Sequence, residues 1–355
     1  VTRGRGAPRG WPGGGAEGST ARTGGAEGTG VPGPRTAGAS RTAGASRADP
    51  DTPDARRSWE PHGPYDLGQS LRVLRRGPYD PAFQVRDGAL WRASRTPAGP
   101  VTLRIAPYGT GRVGADAWGP GADWALDRLP ALLGADDDPG AFVPHHDLTR
   151  EAHRRHPGLR LVRTGLVMEA LVPAVLEQKV TTQEAYRGWQ LLLRRHGEPA
   201  PGPADGMYVP PDPRTWCLIP SWEWHRAGVD SKRSSTVIRA ARRARRMEEA
   251  AAMDLPAAIT RLCAIPGIGP WTAAETLQRS NGAADAVTIG DLHLPGIIGY
   301  ALTGRRNTDD AGMLELLAPY EAEGQRHRAA RLILTTGRTP PRRAPRFPIG
   351  DIARL

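Results

Sequence analysis

Between Leu262 and Leu277 the chain reads LCAIPGIGPWTAAETL. Apolar residues at helical spacing run up to Ile265 and resume after Pro270, so two helices are joined by little more than Pro-Gly-Ile-Gly. A reversal this tight needs backbone angles that glycine reaches at low cost, which assigns Gly267 and Gly269 to the turn. A glycine turn that opens directly into a helix leaves unpaired amides there, with the positive end of the helix dipole behind them. That arrangement suits a phosphate and does not read a base. The same residues also suit a plain compact connection between packed helices, so the hairpin alone does not decide a function.

Its surroundings fix the fold class as α+β. From Trp59 to Phe142 short strand-like runs alternate with turn signals: AFQVR, Asp87-Gly88, ALWRAS, PAGP, VTLRIAPY and RVGADAW. Asp-Gly between two such runs predicts a hairpin, because both central positions favour positive φ. GADWALDRLPALLG then predicts one helix ending at Gly134, and the acidic ADDDPG a solvated linker. Beyond 147 helical runs dominate, among them LVMEALVPAVLEQKV, where Pro173 predicts a kink, TQEAYRGWQLLLRRH and RHRAARLILTTG. The expected organisation is a disordered tail at 1–58, an N-terminal antiparallel sheet domain with a helix at 59–146, a helical domain carrying the hairpin at 147–338, and a basic tail at 339–355. The first tail is about one third Gly and Pro with RTAGAS repeated in tandem, too little apolar surface to offset the entropy of ordering.

Among 355 residues the formal net charge is +11, which points to a polyanionic partner with nucleic acid first. Arginine supplies nearly all of it, since Lys179 and Lys232 are the only lysines. Two cysteines, Cys217 and Cys263, are too few for a disulfide framework, a four-cysteine zinc site or a cysteine-bound iron-sulfur cluster. Neither a Walker loop, a dinucleotide fingerprint nor HExxH is present. His145-His146-Asp147 has metal-capable atoms without a second ligand group at recognisable spacing, so no metal site is assigned. No apolar run spans a bilayer and no secretory leader is visible; a cytoplasmic, nucleoid-associated monomer is expected.

Taken together, the hairpin, AVTIGDLHLP at Ala286–Pro295, AVLEQKVTTQEA upstream and YEAEGQRHRAARLIL downstream resemble the helix-hairpin-helix DNA glycosylases, specifically the 3-methyladenine DNA glycosylase II branch. The likeness runs from about Arg160 to Gly337, with a weaker match of the sheet region to that branch's N-terminal domain. It implies a helix-hairpin-helix glycosylase domain at 147–338, double-stranded DNA with damaged bases as partner, and Asp291 as the catalytic carboxylate. Asp291 also suits an N-cap for the helix that follows, with Pro295 in its first turn. The resemblance places Trp271, Glu275 and Gln178 at the base pocket, and Gly267, Ile268, Gly269, Thr272, Lys179 and Thr181 at DNA. In glycosylase/lyases of this kind a lysine occupies the place of Trp271, so its absence implies base removal by water, with no strand cleavage. Glu275 departs from the branch, where an aromatic residue lines the pocket near this place; here it pairs with a cationic base, accepts from an exocyclic amine, faces solvent or pairs with an arginine. The basic run Lys232, Arg233, Arg239, Arg242, Arg243, Arg245 and Arg246 reads as a solvated surface or a phosphate contact. No cofactor is implied beyond a structural monovalent cation at the hairpin. The activity this implies is excision of alkylated purines, leaving an abasic site, with hypoxanthine as the next substrate. The rival is a non-catalytic helix-hairpin-helix DNA-binding protein.

Overall fold

A computed structural model describes residues 51–341, so most of the proposed N-terminal tail and 342–355 of the C-terminal tail lie outside the described residues. Five strands form one antiparallel sheet: β1 (Ala55–Trp59), β2 (Phe83–Arg86), β3 (Ala89–Thr96), β4 (Gly99–Tyr108) and β5 (Arg112–Trp118), in the order β1-β5-β4-β3-β2. The Asp87-Gly88 turn closes β2 on β3 with Arg86 opposite Ala89, and both turn residues have positive φ, 50° and 71°. β1 corrects the tail boundary at 58. Residues 55–58 pair with β5, Ala55 facing Ala117, so ladder partners supply order that their composition alone does not.

The expected helix over GADWALDRLPALLG is two short ones, Ala122–Asp127 and Leu129–Leu132. Pro130 has no N–H to return to the Leu126 carbonyl, which accepts instead from the Arg128 amide and from Arg57 Nη1 at 3.0 Å. The acidic linker is likewise not wholly solvated. The Asp137 side chain is 8% exposed, pairs with Arg328 and accepts the Leu161 amide at 2.9 Å. Helix Val167–Leu176 runs on through Pro173. His146 and Asp147 open helix Asp147–Arg155, and His146 Nδ1 meets Tyr320 Oη at 2.8 Å.

Three large apolar cores, and a small fourth one around Ala93, Met207 and Val209, organise the described residues. One lies under the sheet, around Leu71, Leu103, Ile105 and Leu129. A second is built from helices Val167–Leu176, Thr182–His196, Ser231–Ala241, Leu255–Cys263 and Pro270–Ser280, and holds Ile268 of the hairpin. The third gathers Phe142, Leu159, Ile298, Met313, Tyr320 and Ile333, so Phe142, assigned by sequence to the sheet domain, packs with the C-terminal helices. Buried ion pairs tie sheet-side residues to the second core: Arg92 of β3 to Glu169, and Arg76 to Glu177 at 2.8 Å. Among the described residues no helix is long and apolar enough to cross a membrane.

Candidate active site at the glycine hairpin

The hairpin joins helix Leu255–Cys263 to helix Pro270–Ser280. Gly267 has φ of 99°, and a Cβ there would stand 2.1 Å from Thr236 Oγ1 on the neighbouring helix Ser231–Ala241. Both the angle and the close approach require glycine. Gly269 differs from expectation. Its φ of −108° is open to any residue, and a Cβ would meet nothing within 4 Å. What glycine provides at 269 is therefore open space before the helix, not turn geometry.

Gln178, just past the end of helix Val167–Leu176, braces this turn from one side. Its Nε2 donates to the Gly267 carbonyl at 2.9 Å and to Thr272 Oγ1 at 2.8 Å. Arg239 holds the other side through the Pro266 carbonyl at 3.3 Å. Replacing Gln178 by Ala strands two acceptors and is expected to cost about 1–2 kcal/mol, read as a lowered urea midpoint.

The expected DNA-contact residues separate into two groups. Lys179 is exposed and adopts the left-handed conformation at φ of 55°, unusual for a non-glycine residue. Gly267 is exposed on the turn. Ile268 and Thr272, by contrast, are only 5% and 2% exposed, so their side chains serve the core and the Gln178 brace. Thr181 heads a capping box, accepting from Glu184 N at 3.3 Å while Glu184 Oε2 accepts from Thr181 N and Oγ1, both at 2.7 Å. In the basic run, Arg233 is buried and bonds Asp230, Leu176 O and Gly228 O, so it is structural.

Asp291 comes from the third core. Its loop is shaped by Gly290, whose φ is 87° and whose amide donates to both Asp310 carboxylate oxygens at 3.1 and 3.0 Å. Asp291 Oδ1 accepts from the backbone amides of His293 and Leu294, each at 2.8 Å, at the start of helix Leu294–Thr303. Oδ2 accepts from Trp271 Nε1 at 3.0 Å. The cap and the indole thus hold one carboxylate between them. A carboxylate offers about four lone-pair sites, so after three N–H donors one remains, on Oδ2.

Burial pushes the Asp291 carboxyl up, but the Trp271 indole N–H, the two amides and nearby His293 outweigh it and hold the carboxyl below the usual carboxylate value. Asp291 therefore adds stability that is present above the unfolded carboxylate pKa and lost as pH falls through its folded value. Trp271→Phe keeps a ring and removes the indole donor. The Asp291 carboxyl is expected to titrate at higher pH in that variant by carbon-13 NMR, with acid unfolding also beginning at higher pH.

Glu275 lies one turn beyond Trp271 on the same helix face. Of the alternatives open in the sequence, the structure selects pairing with an arginine. Arg279 Nη1 donates to Glu275 Oε2 at 2.8 Å, and Thr288 Oγ1 to Glu275 Oε1 at 3.0 Å. Gln278 Nε2 donates to that same Thr288 hydroxyl at 2.8 Å. Arg279 and Thr288 were not singled out from sequence. The spacing of Glu275 and Arg279, four residues apart on a helix, was the available signal for the first. Among the described residues no three His, Cys, Asp or Glu side chains gather as a metal site.

Comparison with known proteins gives a consistent setting for this geometry. No family model matches the chain. Over 219 residues, 59% of this chain, it is 32% identical to a Mycobacterium tuberculosis protein described as a probable bifunctional transcriptional activator/DNA repair enzyme AlkA, and the match spans 44% of that relative's length. In three dimensions it is similar to a 3-methyladenine DNA glycosylase from Archaeoglobus fulgidus, with a TM-score of 0.65 and 16% identity, over 78% of this chain and 97% of that one. It is also similar to an 8-oxoguanine glycosylase/lyase from Clostridium acetobutylicum solved with double-stranded DNA, with a TM-score of 0.60 and 10% identity, over 77% and 92% of the two chains.

Proposed function

We propose that this chain, which has the fold of the helix-hairpin-helix DNA glycosylase superfamily, is itself a DNA N-glycosylase of base excision repair that hydrolyses the bond between a damaged purine and its sugar. The observation that carries the reading is the Asp291 carboxylate. It is held ionised by three N–H donors, keeps one acceptor site, and sits beside a turn suited to phosphate.

In this reading the open space at Gly269 admits the DNA backbone to the amides at the start of helix Pro270–Ser280. Phosphate contact sets the register of the duplex, and the damaged nucleotide turns out of the stack toward Asp291 and Trp271. As the base departs, positive charge develops on the sugar. A carboxylate already fixed and ionised stabilises that charge without reorganising, and its remaining lone pair orients a water. Trp271 acts by positioning Asp291 and offers its ring face to the base. With an indole and not an amine at 271, no Schiff base forms there, and the product is an abasic site on an unbroken strand. Alkylated purines of the 3-methyladenine type are the class carried by the family resemblance, with deaminated purines next. A monovalent cation on the hairpin carbonyls would serve structure only. The protein would act as a monomer on chromosomal DNA in the cytoplasm.

The test is excision from duplex oligonucleotides carrying single damaged purines, with and without alkali. Strand breaks that appear only after alkali are expected. Breaks without alkali together with a borohydride-trapped adduct would make it a lyase, and tight binding with no excision from any lesion would make it the non-catalytic DNA-binding protein.

A further inference from the structure

The segment that carries Asp291 is tied down at three points. Thr288 lies at its root. Its hydroxyl donates to Glu275 Oε1 at 3.0 Å and accepts from Gln278 Nε2 at 2.8 Å, which fastens the segment to helix Pro270–Ser280. At the far end Asp291 is held by its own cap and by Trp271. Between these two ties the chain passes through Ile289 and Gly290, both exposed. The third tie is there, and it comes from Asp310.

Asp310 opens helix Asp310–Leu317, and its two carboxylate oxygens accept from the Gly290 amide at 3.1 and 3.0 Å. Among the described residues it accepts no other hydrogen bond. The helix is capped by the residue before it, since Asp309 Oδ1 accepts from the Gly312 amide at 2.9 Å. Two neighbouring carboxylates thus have separate partners, one on the helix and one on the loop. The chain that leads into this helix is itself fixed. A Cβ at Gly299 would stand 1.7 Å from Thr308 Oγ1, so the segment before Asp310 packs closely on helix Leu294–Thr303, the helix that Asp291 caps.

The Gly290 N–H belongs to the planar peptide that joins Ile289 to Gly290. With that plane fixed, only the two dihedrals of Gly290 separate it from the peptide that leads into Asp291. Gly290 has φ of 87°, and glycine is the residue with the widest backbone freedom, so without Asp310 the chain has a hinge directly before the carboxylate. We infer that Asp310 is a positioning residue for the reaction, holding the Ile289–Gly290 peptide so that the Asp291 carboxylate stays aimed at the sugar. This inference rests on the glycosylase reading and adds to it a residue outside both the hairpin and the AVTIGDLHLP motif. Because the Gly290 amide is exposed, water replaces a lost carboxylate there, and the cost falls on the order of the loop and not on the fold.

Asp310→Ala in the full chain tests it, by single-turnover excision from the damaged-purine duplex that wild type processes fastest, with enzyme titrated to separate the limiting rate from half-saturation. The limiting rate is expected to fall by about tenfold or more, while the half-saturating concentration stays within about twofold. Asp310→Asn keeps a carbonyl oxygen for the amide and is expected to restore the rate to within about threefold of wild type. A readout independent of activity is the Gly290 amide proton in NMR, expected to move upfield in Asp310→Ala and to stay near its wild-type position in Asp310→Asn. Asp309→Ala loses the helix cap instead, and is expected to lower the melting midpoint more than Asp310→Ala does and the excision rate less. Three results each overturn the inference while leaving the enzyme a glycosylase: a wild-type rate in Asp310→Ala, an Asp310→Asn rate as low as that of Asp310→Ala although the amide proton has not moved, or a rate loss in Asp309→Ala as large as in Asp310→Ala. No excision of any lesion by wild type removes the glycosylase reading, and the inference with it.

Discussion

Asp291→Asn is expected to lower single-turnover excision by on the order of 10³-fold or more, with affinity for duplex DNA changed by less than about twofold. In the proposed reaction the carboxylate carries the charge that the departing base requires, whereas phosphate contact falls to the hairpin. Three donors converge on Asp291, two on Oδ1 and one on Oδ2. An amide has one oxygen. Turned toward the helix cap, its NH2 confronts the Trp271 N–H; turned toward Trp271, it confronts two backbone amides. The variant should therefore also lose about 1–3 kcal/mol of stability, so binding and melting must be measured beside excision. Excision at the wild-type rate would remove Asp291 from the reaction.

The second large effect is expected on the fold. Gly267→Ala must hold φ near 99° and place a Cβ 2.1 Å from Thr236 Oγ1. Thr236 is not free to swing aside, because that hydroxyl donates to the Lys232 carbonyl at 2.8 Å. The backbone angle costs roughly 1–3 kcal/mol and the forced repacking a similar amount, so a loss of about 3 kcal/mol or more is expected in chemical denaturation. Adding Thr236→Ala removes the Oγ1 and Cγ2 clashes but keeps a Cβ at 3.1 Å, so it should recover most of the steric share and leave the conformational one. Full recovery in the double variant would mean that the backbone angle carries no strain.

The parts of this structure that were legible in the sequence are those governed by local chemistry. Asp87-Gly88 predicted its hairpin because two positive φ angles in succession leave few residue choices. Gly267 was legible for the same reason, whereas Gly269 was credited with a turn angle it does not have. Periodicity located the hairpin helices, but Pro130 divided one predicted helix, and the outcome depended on Arg57 arriving from a distant strand to take the freed carbonyl. Composition placed residues 55–58 in a tail, since nothing local reveals that β5 offers them a ladder. In the site, Glu275 and Arg279 could have been paired from their spacing. The bond from Trp271 to Asp291 spans 20 residues and two cores, and no local rule reports it. Thr272 and Ile268 were assigned to DNA by position, yet the turn that presents the backbone outward sends their side chains into the core.

The division of the site between two cores has an evolutionary side. Trp271 belongs to the helix that the hairpin introduces, and Asp291 to a loop anchored among the C-terminal helices. Substitutions within either core are screened by whether that core still packs, and neither screen registers whether the indole still meets the carboxylate. A small relative drift can therefore break the contact between Trp271 and Asp291 while both halves stay folded and the hairpin keeps its shape. The distance between the indole of residue 271 and the carboxylate of residue 291 is thus a property that the packing of neither core protects by itself.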